Sequence, residues 1–449
     1  MSENARLCFS PHVRTTSARD ECVIHNLENG RWLKVTQQIL QLLRDFCQLG
    51  ITGIQSALTD REICLTDFEE LIGCLYEHGF LVEESSKNNE YSWYFPVAAY
   101  LNVTERCNLE CKTCYFSAKK ISTIKEMSTP ECFTVMDRLA SAGIKHLVVA
   151  GGEPLVRDDV IEILDYAHGQ FEDITLITNG TLITPKLACK IVPFAHLFQI
   201  SLDGPDEATN GQIRGEGSFD AAVRGIRLLK EAGAKNILIV CTVTKVNIGL
   251  LPEMAQLADS LGVELGSSVF LASGYGACNE KCLSPAWQDL LSDFREEIFQ
   301  LTKEEQQTTE SHYTETSNLR IGLSCGSGTQ LISVAPDGSV YPCHVLHKSE
   351  LVMGNLLETD GLLDLLEHSQ VTQEFRKLDV DHKSTCRKCD VRYFCRGGCI
   401  AQALASSGKL DGKDRFCSLF KKVFRAQVWS INDHMTDREK ANALLQALS

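Results

Sequence analysis

Short apolar runs alternate with amphipathic stretches from Ala98 to Phe270. The runs Ala98–Val103, His146–Ala150, Ile174–Ile177, Leu197–Leu202, Ile237–Thr242 and Val263–Phe270 read as strands. Helices are expected to begin near Thr129, Asp158, Thr184, Phe219 and Leu251. Such alternation implies an α/β fold with a parallel sheet, here a partial (β/α)6 TIM-like barrel over residues 96–272. Barrels of this kind carry their chemistry on the loops after the strands, so those loops are where reactive residues are sought.

The pattern differs on either side. Residues 1–90 open with an alternating run, Cys22 to Leu27, then Asn29-Gly30, a type I′ hairpin signal, and a returning strand, Trp32 to Val35. Thr36 caps a helix carrying Ile39, Leu40, Leu42, Leu43, Phe46 and Leu49, expected to end near Gly50. A second helix carries Phe68, Leu71, Ile72 and Leu75, Gly79 stops it, and Phe80 to Val82 is a short strand. Hairpin plus helices predicts a winged-helix-like domain, followed by a polar linker from Glu83 to Glu90. Residues 273–324 form a bridge with a helix over 285–308. A cysteine-rich segment fills 325–417, and a charged amphipathic helix fills most of 418–449.

Charge and composition narrow the function. The 449 residues carry a formal net charge of -15. That acidic surface has no excess of Lys and Arg for phosphates, which argues against a nucleic-acid partner. Met1 to Ser10 holds no apolar signal region, and no run of about 20 apolar residues could span a bilayer. A cytoplasmic protein without membrane contact is expected. Twenty cysteines are then unusual. Cys22, Cys47, Cys64, Cys74, Cys132, Cys189 and Cys241 sit singly in apolar stretches and read as small buried hydrophobes. Cys278-x3-Cys282 reads as a loose surface pair, because two cysteines cannot hold a cluster alone.

Cys107-x3-Cys111-x2-Cys114, followed by Tyr115, falls in the loop after the first barrel strand. Three thiolates this close can ligate three irons of a cubane and leave the fourth open. A zinc site would want a fourth ligand, and no His falls at a suitable spacing. Gly151-Gly152-Glu153-Pro154 follows the second strand. With these two motifs, residues 96–272 resemble the radical S-adenosylmethionine superfamily. The resemblance implies that Cys107, Cys111 and Cys114 hold a catalytic [4Fe–4S] cluster whose open iron chelates S-adenosylmethionine and yields a 5′-deoxyadenosyl radical. It implies that Gly151, Gly152 and Glu153 bind the methionine amino group, the carboxylate meeting a cation. Asn179 in Thr178-Asn179-Gly180 and Ser201 in Ser201-Leu202-Asp203-Gly204 are further contacts. Arg214 is either a partner of the cofactor carboxylate or a surface charge, and the backbone of Tyr115 is expected near the adenine.

A second set follows: Cys325, twelve residues, Gly338, four residues, Cys343, then Cys386-x2-Cys389-x5-Cys395-x3-Cys399 and seventeen residues to Cys417. A zinc ribbon would use Cys386 and Cys389 and leave five cysteines idle. The whole pattern resembles the SPASM domain of peptide-maturing radical enzymes. That resemblance implies interleaved ligation: Cys386, Cys389, Cys395 and Cys417 on one auxiliary cluster; Cys325, Cys343 and Cys399 on another, nearer the active site. Three [4Fe–4S] clusters in all are expected. Seven cysteines leave the inner auxiliary cluster one ligand short, an opening for a substrate thiolate. His344 is expected beside the cluster or on the surface, rather than as a ligand or an acid/base.

Residues 1–90 resemble the peptide-recognition element of ribosomal-peptide maturases, where a leader peptide adds as a strand. Cys22–Leu27 and the helix from Thr36 are expected to form the groove, and deletion of the element is expected to leave cofactor cleavage intact. A winged-helix DNA reader is the competing reading, which the acidic charge opposes. The resemblance as a whole implies a maturase that installs Cys-sulfur-to-carbon thioether crosslinks in a precursor peptide, of the sactipeptide or ranthipeptide kind, with flavodoxin or ferredoxin as electron donor. Carbon–carbon crosslinking, sulfatase-type oxidation of Cys or Ser, and a non-catalytic iron–sulfur scaffold or redox sensor are the alternatives.

Overall fold

A computed structural model describes residues 6–84, 95–118, 121–303, 319–432 and 435–449. The expected linker from Glu83 to Glu90 lies mostly outside the described residues.

The N-terminal module contains β1 (Leu7–Phe9), β2 (Val13–Ala18), β3 (Glu21–Asn26), β4 (Trp32–Thr36), α1 (Gln37–Thr59), α2 (Leu65–Glu77) and β5 (Leu81–Glu83). β2, β3 and β4 form an antiparallel meander with β3 in the middle, and β1 pairs with β5. β2 was not legible, because Val13-Arg14-Thr15-Thr16-Ser17-Ala18 has almost no apolar alternation. The hairpin turn is longer than expected. Asn26 N donates to Arg31 O at 2.8 Å, closing a loop over Leu27–Gly30. Gly30 has φ 75°, but Asn29 does not share the left-handed region that a type I′ turn needs. The Asn26 and Asn29 amides instead tie the loop to the end of α2, donating to Gly79 O and His78 O at 2.9 Å.

Thr36 caps α1 as expected, its hydroxyl accepting from Ile39 N at 3.2 Å. The helix does not end at Gly50. Gly50 takes φ 71° and kinks the chain, and helix resumes because Ile54 and Leu58 continue the buried stripe.

Among the described residues the central sheet has nine strands. In chain order come β6 (Ala98–Asn102), α3 (Thr129–Ser141), β7 (His146–Ala150), α4 (Val160–His168), β8 (Asp173–Thr178), α5 (Pro185–Ile191), β9 (Leu197–Ser201), α6 (Glu207–Arg214), α7 (Ser218–Glu231), β10 (Ile237–Val243), α8 (Leu251–Leu261) and β11 (Glu264–Val269). β6 to β11 are parallel and lie side by side in sequence order. Alternate residues such as Leu101, Val149, Leu176, Ile200 and Ile239 are fully buried in one core with α3, α4, α5, α7 and α8. Ser128 opens α3 with a capping box closed by Glu131.

The bridge holds α9 (Tyr275–Cys278), α10 (Glu280–Leu283) and α11 (Trp287–Lys303). β12 (Leu331–Val334) then joins the central sheet, parallel to β6 and paired Leu331 to Ala98 and Val334 to Leu101; β13 (Ser339–Tyr341) and β14 (Gly354–Asn355) add antiparallel. The cysteine-rich segment is thus bonded to the strand that feeds the first cysteine loop. Buried Asn102 reinforces the join, donating to Val334 O at 2.9 Å and Ser333 Oγ at 3.0 Å.

Among the described residues six helices follow: α12 (Leu362–His368), α13 (Gln370–Phe375), α14 (Arg392–Cys395), α15 (Ile400–Ser407), α16 (Cys417–Ser430) and α17 (Asp437–Leu448). The single C-terminal helix expected from the pattern is two, α16 and α17. Ile431 is extended, and Thr436 with Glu439 starts α17 as a fresh capping box. No helix among the described residues is long and apolar enough to cross a membrane.

Candidate active site

The loops after β6 to β9 converge on one rim of the sheet, as parallel α/β sheets require. They line a cavity of about 330 Å³ whose walls include Cys107, Cys111, Cys114, Tyr115, Gly151, Gly152, Glu153, Asn179, Ser201 and Arg214. Every residue expected from sequence to touch the catalytic cluster or S-adenosylmethionine is therefore in one place.

The cysteine loop is fixed by backbone bonds at both ends. Lys112 N donates to Ile213 O at 2.9 Å, Cys114 N to Cys111 O at 3.2 Å, and Gly276 N to Cys114 O at 3.3 Å. The Asn279 amide donates to Lys112 O at 3.1 Å, so the bridge between α9 and α10 braces the loop. Burial raises the Cys107 thiol to about 12. Burial also raises Cys111, to about 11, against the opposing pull of Arg214. Thiols so placed stay protonated until a metal's charge displaces the proton.

The two glycines after β7 serve the chain's own backbone. Gly151 has φ 149°, and a Cβ on it would lie 2.5 Å from Thr104 O; a Cβ on Gly152 would lie 2.3 Å from Arg106 O. Gly152 N and Glu153 N bond Thr104 O and Arg106 O, each at 2.8 Å. The motif is thus locked to the chain entering the cysteine loop.

Glu153 is buried, 1% exposed. Its carboxylate accepts from Thr178 Oγ1 and Asn179 N at 2.7 Å and Leu155 N at 3.1 Å. Within the chain three neutral donors hold the group, and burial raises its pKa. Asn179 Nδ2 reaches Asn108 Oδ1 at 2.9 Å and Cys107 Sγ at 3.9 Å, linking the β8 loop to the cysteine loop.

Arg214 is not a surface charge. Its side chain is 11% exposed, that of Asp203 is 0%, and Nε lies 2.8 Å from Asp203 Oδ2. Asp203 in turn accepts from Thr242 N at 2.7 Å. The pair puts one guanidinium on the cavity wall next to Cys111, with its charge balanced from behind. A cavity of this volume with apolar walls, one guanidinium and backbone groups fits a zwitterionic nucleoside-bearing ligand such as S-adenosylmethionine.

Sequence reading missed the opposite wall. Tyr100, on β6, stacks on His344 at 4.1 Å, and Tyr115 meets the same His344 edge-on at 5.4 Å. His344 Nδ1 lies 3.6 Å from Cys343 Sγ, and burial holds this imidazole near pKa 4. His344 is therefore enclosed between the cavity and Cys343, not on the surface. Gln199, Thr242, Ser268 and Tyr275 complete the wall. Gln199, Thr242 and Ser268 had only inward strand register to mark them, which carries no motif, and Tyr275 opens α9.

The later cysteines fall into the two interleaved sets. Cys343 is raised to about 12 by burial, with Cys325 and Cys399 beside it. Cys395 is likewise raised to about 12 by burial, with Cys417, Cys386 and Cys389 beside it. Among the described residues no three of His, Cys, Asp and Glu converge as a single metal ion needs. Of the remaining cysteines, Cys22, Cys132 and Cys241 are buried as expected. Cys64, Cys74 and Cys189 are exposed instead, Cys74 and Cys189 on the outer faces of α2 and α5. Cys278 and Cys282 are exposed as well.

Comparison with known proteins identifies two domains that carry the cysteine loop and cysteines of the later sets. Residues 101–261 match the radical SAM superfamily, and residues 325–390 match SPASM, an iron–sulfur cluster-binding domain. The mycofactocin maturase MftC of Mycolicibacterium smegmatis is 32% identical over 333 residues, covering 72% of this chain and 82% of that protein. An AdoMet-dependent heme synthase of Nitratidesulfovibrio vulgaris is 29% identical, covering 70% and 90%. Among solved structures, anSMEcpe with bound AdoMet superposes with a TM-score of 0.60 at 20% identity, covering 74% of this chain and 97% of that one. Streptococcus suis SuiB bound to S-adenosylmethionine gives 0.57 at 16% identity, covering 91% and 99%. The chain belongs to the radical SAM superfamily and is a radical S-adenosylmethionine enzyme with a SPASM iron–sulfur domain.

Proposed function

We propose that this enzyme matures a ribosomally made precursor peptide by installing thioether crosslinks from Cys sulfur to carbon. The observation that carries the reading is the gathering of Cys325, Cys343 and Cys399, three thiols rather than four, beside His344 in the cavity wall. Similarity to a protein named as a maturase supports a peptide substrate. In this reading Cys107, Cys111 and Cys114 hold the catalytic cluster. Tyr115, Gly151, Gly152, Glu153, Asn179, Ser201 and Arg214 hold S-adenosylmethionine. The set of Cys325, Cys343 and Cys399 and the set of Cys386, Cys389, Cys395 and Cys417 hold two auxiliary clusters. When bound, cluster and cofactor supply a radical able to take hydrogen from carbon. The chain's own residues orient the cofactor on the rim, keep water out behind Tyr100 and Tyr115, and leave one ligand place open for a substrate thiolate. Flavodoxin or ferredoxin supplies the electron.

The six parallel strands are read as an open (β/α)6 barrel over 96–272, with the bridge at 273–324, the SPASM domain at 325–417 and a C-terminal region at 418–449. Residues 1–90 are read as a winged-helix-like recognition element for the leader. The groove differs from the sequence expectation. β3 is hydrogen-bonded on both sides, to β2 and to β4, and has no edge to offer. The leader strand is therefore assigned to the outer edge of β4, alongside α1.

The test is co-expression with the small open reading frame next to the gene, followed by mass spectrometry. A core peptide that loses two hydrogen atoms per crosslink and whose cysteines resist alkylation supports thioethers. Loss of hydrogen with freely alkylated cysteines refutes them. That second outcome favours carbon–carbon crosslinking, a reading with its own support: His344 and Tyr100 line the cavity and Cys343 does not, an arrangement suited to an auxiliary cluster that only carries electrons.

A further inference from the structure

β3 is buried on both faces. Cys22, Val23, Ile24, His25 and Asn26 are each 0% exposed. Cys22 and Ile24 pack into the helical core of the N-terminal module. Val23 and Leu27 pack the other way, into a core shared with Val391, Tyr393, Phe394 and Val428. A recognition module that merely hung from a linker would leave that second face to water. Here the sheet is an inner layer of the molecule.

What it lies against is the scaffold of the outer cysteine set. His25 sits over Tyr393 at 4.9 Å and Phe394 at 5.1 Å, and Trp32 meets Phe394 edge-on at 5.1 Å. Those two aromatics immediately precede Cys395 in α14. Cys386 and Cys389 pack against the same shared core. Cys417 opens α16, and Lys34, on β4, donates to the carbonyls at its far end, Val428 O at 3.3 Å and Ile431 O at 2.8 Å. Arg14, on β2, pairs with Asp381 at 3.6 Å, and Asp381 accepts from Tyr393 Oη at 2.8 Å. All four cysteines of the set thus stand on elements that the N-terminal sheet holds in position.

We infer that the N-terminal sheet is a wall of the outer cluster site as well as the seat of the leader, with His25 as the positioning residue, so that filling the cluster and ordering the peptide-binding edge are linked. The inference rests on the assignment of Cys386, Cys389, Cys395 and Cys417 to one cluster. A cluster that ties these four residues together fixes the platform of Tyr393 and Phe394 on which β3 lies. A well-ordered β3 in turn keeps that platform closed around the cluster. Linkage makes the two effects reciprocal. The enzyme would then present a leader-binding edge only when its outer cluster is in place.

Hydrogen exchange on the full-length, cluster-loaded protein tests this without any peptide, so the leader reading is judged separately. In Cys389→Ser protein, iron should fall by about four per chain, and the amides of Cys22 to Asn26 should exchange at least ~tenfold faster, because local opening replaces opening of the shared core. In the reverse direction, His25→Ala should lose iron to a chelator severalfold faster than the parent, and His25→Phe, which keeps the ring, should restore the slow rate. If Cys389→Ser does not fold, Phe394→Leu is read by the same two measurements. Lost iron with unchanged exchange at Cys22 to Asn26 overturns the linkage while leaving the cluster assignment standing. Unchanged iron in Cys389→Ser overturns the assignment and the inference with it, and unchanged iron in Phe394→Leu overturns the inference.

Discussion

Gly152 shows how little room the cofactor loop has. A methyl group there would stand 2.3 Å from Arg106 O, with more of the same backbone at 2.7 Å, and neither partner is a side chain that could swing away. Gly152→Ala must therefore push apart the β7 loop and the chain entering Cys107. A displacement near 1 Å at reacting groups costs on the order of a hundredfold in rate, and that loss is expected in 5′-deoxyadenosine release by the reduced, reconstituted enzyme. Parent-like release would mean that the contact is not what the glycine is for. The motif itself was legible in the sequence, and so were all ten residues of the cavity rim expected there. What each residue does was less so. Nothing in the motif showed that the Glu153 oxygens also tie the chain together, accepting from Thr178, Asn179 and Leu155. Arg214 could not be told from a surface charge, because the residue that buries it, Asp203, is eleven positions away and reaches it only through the turn into α6. Tyr100 and His344 had no signal as a pair. One is on β6, the other follows β13, and only the insertion of β12 between those strands brings them within stacking distance.

At the scale of elements, period and caps were reliable wherever a strand or helix has one polar and one apolar side, or is apolar throughout and short. His146–Ala150 forms a strand with the boundaries its sequence gives, and α3 starts at the expected Thr129. The reading failed where neighbours, not local pattern, decide. β2 is a polar strand held by its ladder to β3, and β12 is placed by its pairing with β6. Gly50 is the instructive middle case. The glycine was correctly seen as an interruption, but the apolar stripe beyond it continues into the same core, so the helix bends rather than stops. A Cβ on Gly50 would meet nothing within 4 Å, so the cost of Gly50→Ala comes from φ 71° alone. That cost is about 1–2 kcal/mol, and it should appear as a lower urea midpoint for the N-terminal module. An unchanged or raised midpoint would mean that the chain straightens into continuous helix, and the groove between α1 and β4 should then change shape and lose leader affinity.

For the molecule as a whole, the chief departure from the linear reading is that the modules are not strung in a row. The central sheet runs from the radical core into the cysteine-rich segment through β12, and the N-terminal sheet closes over the outer cysteine set. Removal of residues 1–84 would strip Val391, Tyr393, Phe394 and Val428 of their cover, so a truncation designed to abolish leader binding would also disturb the auxiliary domain. The same junction carries a pH dependence. His25 hydrogen-bonds Thr16 Oγ1 through Nε2 at 2.9 Å, and the groups facing it from α14 are Arg392, Tyr393 and Phe394. Burial first, and the Arg392 charge second, lower its pKa from 6.5 to about 3. The native junction thus holds a neutral imidazole, while the unfolded chain takes up a proton below about pH 6.5. Between that pH and 3 the unfolded state binds more protons, so stability falls as the medium is acidified and is complete above neutrality. Each pH unit within this window removes up to ~1.4 kcal/mol. In His25→Phe protein the ring is kept and the proton site is gone. Its urea midpoint should therefore fall less between pH 7 and pH 5 than that of the parent, and carboxylates common to both proteins cancel in the difference. Parallel pH profiles would show that His25 is solvated in the working enzyme and that the N-terminal sheet does not seal the junction.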